Sequence, residues 1–280
     1  MLCALCSVPL YSSNMYRRAT FSYQQSVNSI AHVHNETANI WSHLIGAGLF
    51  FYLLTQFYVS IAPRYELASS GEILVISIFY ATVVVCFILS STFHTFSDHS
   101  PHMHRFGNEL DHLGVVFVIW GSGVPSDYFG FYCSPRTQYL YWTAVTATAL
   151  AYAIFTLRPK FRHPTYRTTR FLMYCFLGVS LFIPVAHGII INGWEAQNQR
   201  MSLKYFFGLG FLNFLGAAIY AARIPERWFP GKFDIWGSSH QIMHVLVVCG
   251  AISHLNGLLA ALDYFNGLKV RYGGDACLGV

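Results

Sequence analysis

Seven apolar runs dominate the chain, at about residues 39–61, 72–95, 108–131, 138–157, 170–192, 203–222 and 235–265, with polar segments between them. Each has the roughly 20 residues that carry an α-helix across a ~30 Å hydrocarbon core. Several contain polar residues, so they must pack as a bundle with those faces inward. Gly121, Gly123 and Pro125 interrupt the third run, and Pro184 lies inside the fifth. A proline removes one backbone donor, which predicts a kink there. The pattern predicts an all-α integral membrane protein, a seven-transmembrane helix bundle over residues 35–265. A tail at 1–34, with room for a short interfacial helix in 21–35, precedes it, and a brief tail at 266–280 follows.

Composition agrees with this picture. Of 280 residues, 54% are hydrophobic and 10% are charged, against about 25% charged in soluble domains. The net charge of +5 does not point to nucleic acid, because its distribution follows the bilayer instead. With the N-terminus taken as cytoplasmic, eleven of the 17 Lys and Arg fall on that side and six on the other. The excess of positive charge marks the inside, so the expected orientation is N-terminus cytoplasmic and C-terminus extracytoplasmic. The segment from Arg158 to Arg170 supplies the strongest bias. The sequon at Asn35 then lies on the cytoplasmic side, where it is expected to be unused. No early apolar segment sits behind a basic region with a small-residue cleavage site, so the first span is expected to act as the targeting signal. The expected location is a multi-pass protein of the plasma membrane or an endomembrane.

Seven cysteines are scattered along the chain. Cys3 and Cys6 form a CxxC without a second pair, a weak metal signal. Cys133 and Cys277 fall on the same predicted face, which leaves a disulfide open.

The last run carries the chemistry. His240 and His244 lie four residues apart, one turn apart on one helical face. Two imidazoles so placed can share a tetrahedral zinc, which needs at least one further ligand. The alternative is two core histidines bonded to backbone carbonyls or water. The predicted topology brings other groups to the same depth: His94 near the cytoplasmic end of span two, and Asp111 in the first turn of span three. A three-histidine Zn2+ site of His94, His240 and His244 follows, with its fourth position open for water. Zinc can lower the pKa of such water to about 7, and Asp111 could hold or deprotonate it. Asp111 could equally be a helix-start carboxylate in a favourable dipole. Ser90, one turn before His94, could bond the water or an oxyanion, or back-bond to its own helix.

Other polar residues read less sharply. Glu36, Asn39 and His43 share one face at the entry to span one, and either brace the site or cap the helix. His99, His102 and His104 in the loop after span two read as solvated, His187 and His254 as bonded within the bundle, and His112 as pointing away from the site.

These residues resemble a known family. The run Glu36-Thr-Ala-Asn39-Ile-Trp-Ser-His43, the pair Ser90 and His94 followed by Asp111, and Gly237-Ser-Ser-His240-Gln-Ile-Met-His244 are similar to the three signature motifs of the progestin and adipoQ receptor family, which includes the adiponectin receptors and the wider haemolysin III group. The stretch Pro225-Glu-Arg-Trp-Phe-Pro-Gly-Lys-Phe-Asp resembles the adiponectin-receptor branch, and the likeness covers about residues 35–265. It implies a seven-helix fold with a cytoplasmic N-terminus, the reverse of G-protein-coupled receptors. It also implies zinc on His94, His240 and His244, with Asp111 as the aspartate near the zinc-bound water and Ser90 as the family's serine. Family members are linked to lipid signalling, including ceramide hydrolysis, and microbial relatives to zinc and sterol-lipid homeostasis. The likeness does not extend to residues 1–34.

Three functions follow as expectations. The first is an intramembrane zinc amidohydrolase, a ceramidase acting on ceramide-like lipids held in the apolar bundle. The second is a receptor or sensor whose zinc is structural. The third is a role in zinc and lipid homeostasis, which would favour ligands strung along a pathway rather than gathered at one depth. The partners expected are the lipid bilayer and a lipid substrate. The sequence specifies no protein ligand and leaves a homo-oligomer open.

Overall fold

The computed structural model describes residues 17–162 and 164–279, and among these every regular element is helical. A short helix, α1 (Tyr23–Ser29), lies where the sequence allowed an interfacial one. Then follow α2 (Thr37–Gln56), extended by a π-turn at Phe57–Ile61 and a 3-10 turn at Ala62–Arg64, α3 (Ser70–Phe96), α4 (Pro101–Gly130) and α5 (Pro135–Leu157). The second half contains α6 (Arg167–Ser180), α7 (Phe182–Asn192), α8 (Trp194–Met201), α9 (Leu203–Ala222) and α10 (Ser239–Arg271). Cys3 and Cys6 lie outside the described residues.

Among the described residues, six segments are long and apolar enough to cross a membrane: Thr37–Arg64, Ser70–Phe96, Pro135–Leu157, Phe171–Asn192, Leu203–Ala222 and Ser239–Arg271. The third predicted run, now α4, is not among them. At 30 residues it has the length, but Glu109, Asp111 and Asp127, with its glycines and serines, dilute its apolarity.

Two boundaries differ from expectation for identifiable reasons. The third run was predicted to begin near 108 and to be interrupted, yet α4 starts at Pro101 and runs unbroken through Gly121, Gly123 and Pro125. The Ser100 hydroxyl accepts from the Met103 amide, and Pro101 occupies the first turn, where its missing N–H is harmless. The glycines serve packing rather than breakage. A Cβ on Gly121 would fall 1.9 Å from Thr82 Oγ1, and one on Gly114 would fall 3.0 Å from Cys86 Cα, so α4 lies directly against α3. The fifth run does break, between α6 and α7 at Leu181. Pro184 has no N–H to offer the Ser180 carbonyl four residues back, which is where α6 ends.

The buried core is aromatic-rich and centred on α2, α3 and α10, with Phe50, Phe79, Phe87 and Phe265 fully enclosed. Antiparallel packing gives the bundle two distinct ends. At one end Lys269 Nζ sits 2.6 Å from Glu72 Oε2, the Tyr132 hydroxyl donates to Glu72 Oε1 at 3.1 Å, and Cys133 and Cys277 are joined in a disulfide. The close of α3, the first turns of α4 and the start of α10 therefore share the other end.

Candidate metal centre

At that other end, His94 near the close of α3 and His240 and His244 in the first two turns of α10 come together. One ring nitrogen from each lies within 4.8 Å of the others. The ring centroids are 5.1 Å apart for His94–His240, 4.9 Å for His94–His244 and 4.7 Å for His240–His244. His94 and His244 are 3% and 2% exposed. The local reason is the four-residue spacing on α10, and the tertiary reason is that α3 ends where α10 begins.

The donor set suits a metal ion. His94 Nδ1 lies 2.7 Å from Glu36 Oε2, so this nitrogen donates to the carboxylate and Nε2 turns into the cluster. His94 Nε2 and His240 Nε2 are both buried without a hydrogen-bond partner in the protein. Buried polar atoms are almost always satisfied, and imidazole nitrogens converging in this way suit a metal with nitrogen preference. The three histidines can hold a metal ion.

The residues around them resolve the alternatives left by the sequence. Glu36 occupies the N-cap position of α2 but makes no capping bond. Its carboxylate instead orients His94 and accepts from Asn39 Nδ2 at 2.6 Å. His43 stacks on His244 at 3.8 Å between centroids, and Ser42 Oγ lies 3.4 Å from His244 Nδ1. The Glu36, Asn39 and His43 face braces the cluster rather than capping α2. A carboxylate behind a ligating histidine fixes its tautomer and raises its basicity.

Ser90 and Asp111 reach the site by way of a cavity. A space of about 630 Å³ runs from the histidines into the bundle, with His43, Ser90, Asp111 and His240 on its polar wall and Phe79, Phe182 and Phe206 deeper in. Ser90 is 1% exposed and its hydroxyl has no hydrogen-bond partner. It makes no back-bond, unlike Ser91, which donates to the Ile88 carbonyl at 3.1 Å. Asp111 requires a correction. It does not lie in the first turn of its helix, because α4 begins ten residues earlier at Pro101. At 3.6 residues per turn this is the third turn, where the helix-dipole reading no longer applies, since that effect fades within the first turn.

His112 lines the same cavity rather than pointing away from it, with Nδ1 2.5 Å from the Asn108 carbonyl, and stands outside the cluster. Of the three histidines expected in a loop, His102 and His104 lie in the first turns of α4; His99 stacks on Tyr23 at 4.0 Å and His104 Nδ1 meets the Ser97 carbonyl at 3.2 Å, so they do not form a site. His187 and His254 are bonded within the bundle as expected, to the Tyr141 hydroxyl at 2.9 Å and the Ser122 carbonyl at 3.2 Å. Sequence reading missed Tyr220, whose ring meets His240 at 5.0 Å. A lone tyrosine near a helix end gives no signal of such a contact.

Comparison with known proteins gives the family of the chain. Residues 31–255 match the family model described as Haemolysin-III related. The adiponectin receptor protein of Drosophila melanogaster is 40% identical over 237 residues, covering 85% of this chain and 53% of the fly protein. The ADIPOR-like receptor IZH2 of Saccharomyces cerevisiae is 35% identical over 249 residues, covering 89% of this chain and 78% of the yeast protein. Heptahelical transmembrane protein 1 of Arabidopsis thaliana is 31% identical over 273 residues, covering 94% of this chain and 82% of the plant protein. The chain spans about half the length of the fly protein. With a family match across most of the chain, a helical bundle of membrane-spanning length and a three-histidine cluster, this protein belongs to the haemolysin-III-related family of multi-pass membrane proteins, alongside the adiponectin-receptor-like proteins.

Proposed function

We propose that this chain is an intramembrane hydrolase of ceramide-like lipid amides, with zinc held by His94, His240 and His244 and with Asp111 and Ser90 acting on the substrate. In this reading α4 is the seventh span, shielded from lipid by its neighbours, and the N-terminus is cytoplasmic, as the Lys and Arg distribution favours. The name of the plant relative, a heptahelical protein, supports the count.

The observation that carries the reading is the joining of a three-histidine cluster to a largely apolar cavity of about 630 Å³ whose wall also presents Ser90 and Asp111. Three protein nitrogens leave one zinc position open, the arrangement of catalytic rather than structural sites. Zinc bound there supplies Lewis acidity toward the amide carbonyl and a nucleophile at neutral pH. The chain's own residues do the rest. The apolar depth of the cavity holds the acyl chain and keeps bulk water out. Asp111 takes the proton from the attacking water and returns it to the amine nitrogen as the C–N bond breaks, so that one water is consumed and a fatty acid and a free amine leave. The unpaired Ser90 hydroxyl donates to the oxygen that gains charge.

The names of the fly and yeast relatives favour a second reading, a receptor; in that reading a metal on the three histidines would hold the bundle together. One experiment separates the two. Fatty acid and sphingoid base released from ceramide are measured for the purified wild type, Asp111→Asn and a His240→Ala/His244→Ala double variant, with metal content read on the same samples. Hydrolysis predicts turnover lost in both variants, with zinc kept only in Asp111→Asn. Zinc without turnover in the wild type overturns the hydrolase reading in favour of the receptor.

A further inference from the structure

The ends of both ligand-bearing helices are tied down by charged side chains from elsewhere in the chain. Helix α3 stops at Phe96, two residues after His94, so the His94 and Thr95 carbonyls are among those left without a helical amide. Arg17 supplies a partner to both, the His94 carbonyl also accepting from the Ser97 hydroxyl at 3.1 Å. Its Nη2 donates to the His94 carbonyl at 2.5 Å and its Nη1 to the Thr95 carbonyl at 2.9 Å, while the same nitrogens reach Ser97 Oγ and Ser29 Oγ. The guanidinium lies 3.4 Å from Asp98 Oδ1, and the two side chains are 9% and 3% exposed. Burial lowers the Arg17 pKa below the usual arginine range, and the charges of Asp98 and Glu36 oppose that fall. The arm carrying Arg17 is itself anchored, with the Thr20 and Phe21 amides bonded to the Asp98 and His99 carbonyls and Ser26 Oγ to Asp98 Oδ1.

Helix α10 shows the complementary arrangement. Ser238 stands at its N-cap without a side-chain bond. Glu226, from the segment after α9, accepts instead from the Ser239 amide at 2.8 Å and from the Ser239 hydroxyl. Ser239 immediately precedes His240. A cation at the C-terminal end of one helix and an anion at the N-terminal end of the other both oppose the local helix dipole.

We propose that Arg17 and Glu226 are positioning residues of the metal centre, which set the separation of its α3 and α10 ligands by capping the helix ends that carry them. The inference rests on the reading of His94, His240 and His244 as metal ligands. Neither residue touches the ion or the substrate. Arg17 acts through the backbone of His94 itself, and a forked guanidinium can hold two carbonyls at once where a lysine ammonium holds one well.

The test is Co2+ binding to purified, metal-stripped full-length protein, read as affinity by chelator competition and as the visible ligand-field spectrum. Arg17→Ala, Arg17→Lys, Glu226→Ala and the exposed neighbour Arg18→Ala are compared with the wild type. Arg17→Ala and Glu226→Ala are expected to bind about ten-fold more weakly, with an altered spectrum, as when outer partners of ligands are removed. Arg17→Lys is expected between Arg17→Ala and the wild type, and Arg18→Ala unchanged. If Arg17→Ala fails to fold, Arg17→Lys and Glu226→Ala decide. Wild-type affinity and spectrum in both overturn the positioning role, as does an equal loss in Arg18→Ala, which would make the effect one of net charge. A wild type that takes up no cobalt overturns the metal reading itself, a different failure from uptake that is indifferent to Arg17.

Discussion

Glu36 Oε2 lies 2.7 Å from His94 Nδ1, joining residues 58 positions apart in the chain. This contact ties the entry of α2 to the close of α3 and aims His94 Nε2 at His240 and His244. Removing the carboxylate should loosen the ring without removing a ligand. Glu36→Ala is expected to weaken metal affinity by about 10–100-fold, while Glu36→Gln, which can still accept from Nδ1 through its amide oxygen, loses less. Zinc competition with a chromophoric chelator measures both, and an unchanged Glu36→Ala affinity would mean that the contact does not orient His94.

The close approach of α3 and α4 depends on Gly121. Its Cβ would fall 1.9 Å from Thr82 Oγ1 and 2.7 Å from Thr82 Cβ, so Gly121→Ala forces the two helices apart. Overpacking of this kind costs about 1–3 kcal/mol. Because Asp111 rides on α4 and His94 on α3, activity should fall along with stability. Gly48→Ala, where nothing lies within 4 Å of the new Cβ, is expected to be neutral or slightly stabilising. Unfolding followed in detergent for the pair provides the check.

Far from the histidines, Lys269 and Glu72 form a buried ion pair that also takes in the Leu67 carbonyl and the Tyr132 hydroxyl. Lys269→Met leaves Glu72, which is 0% exposed, without its cation. Breaking one side of a buried pair costs about 3–5 kcal/mol. The double variant Lys269→Met/Glu72→Gln should recover much of that loss, because no uncompensated charge remains. Denaturant unfolding of the two variants distinguishes a pair that matters from one that is idle.

The disulfide joins Cys133 to Cys277 across a sequence separation of 144 residues. Cross-links closing long loops typically stabilise by about 2–4 kcal/mol, so Cys133→Ser/Cys277→Ser should unfold at lower temperature. The bond lies at the end of the bundle opposite the histidines, so metal content of the folded variant should match the wild type. Thermal unfolding and metal analysis of one preparation test both halves of this expectation.

What the sequence determined by itself is everything that depends on local order along a helix. Apolar runs of sufficient length specified six of the seven expected spans, within a few residues for α5 and α9, because a chain in hydrocarbon must satisfy its own backbone. The spacing of His240 and His244 specified a shared face, because 3.6 residues make a turn. Pro184 announced the break at Leu181 through a donor it lacks. Where helices meet was decided only by tertiary structure. Glu36 could have capped α2 or braced His94, and the choice depended on α3 ending beside it. Ser90 could have bonded its own helix, and the packing left its hydroxyl facing the cavity. The start of α4 at Pro101 moved Asp111 from a first turn to a third, which no apolar pattern revealed because the added turns are polar. Arg17 had no signal in the chain beyond being charged, and Glu226 stood out only as part of the Pro225–Asp234 stretch, with no role attached to it. Their partners are carbonyls and amides exposed only at the ends of folded helices, and which ends come within reach is settled by packing between segments far apart in sequence.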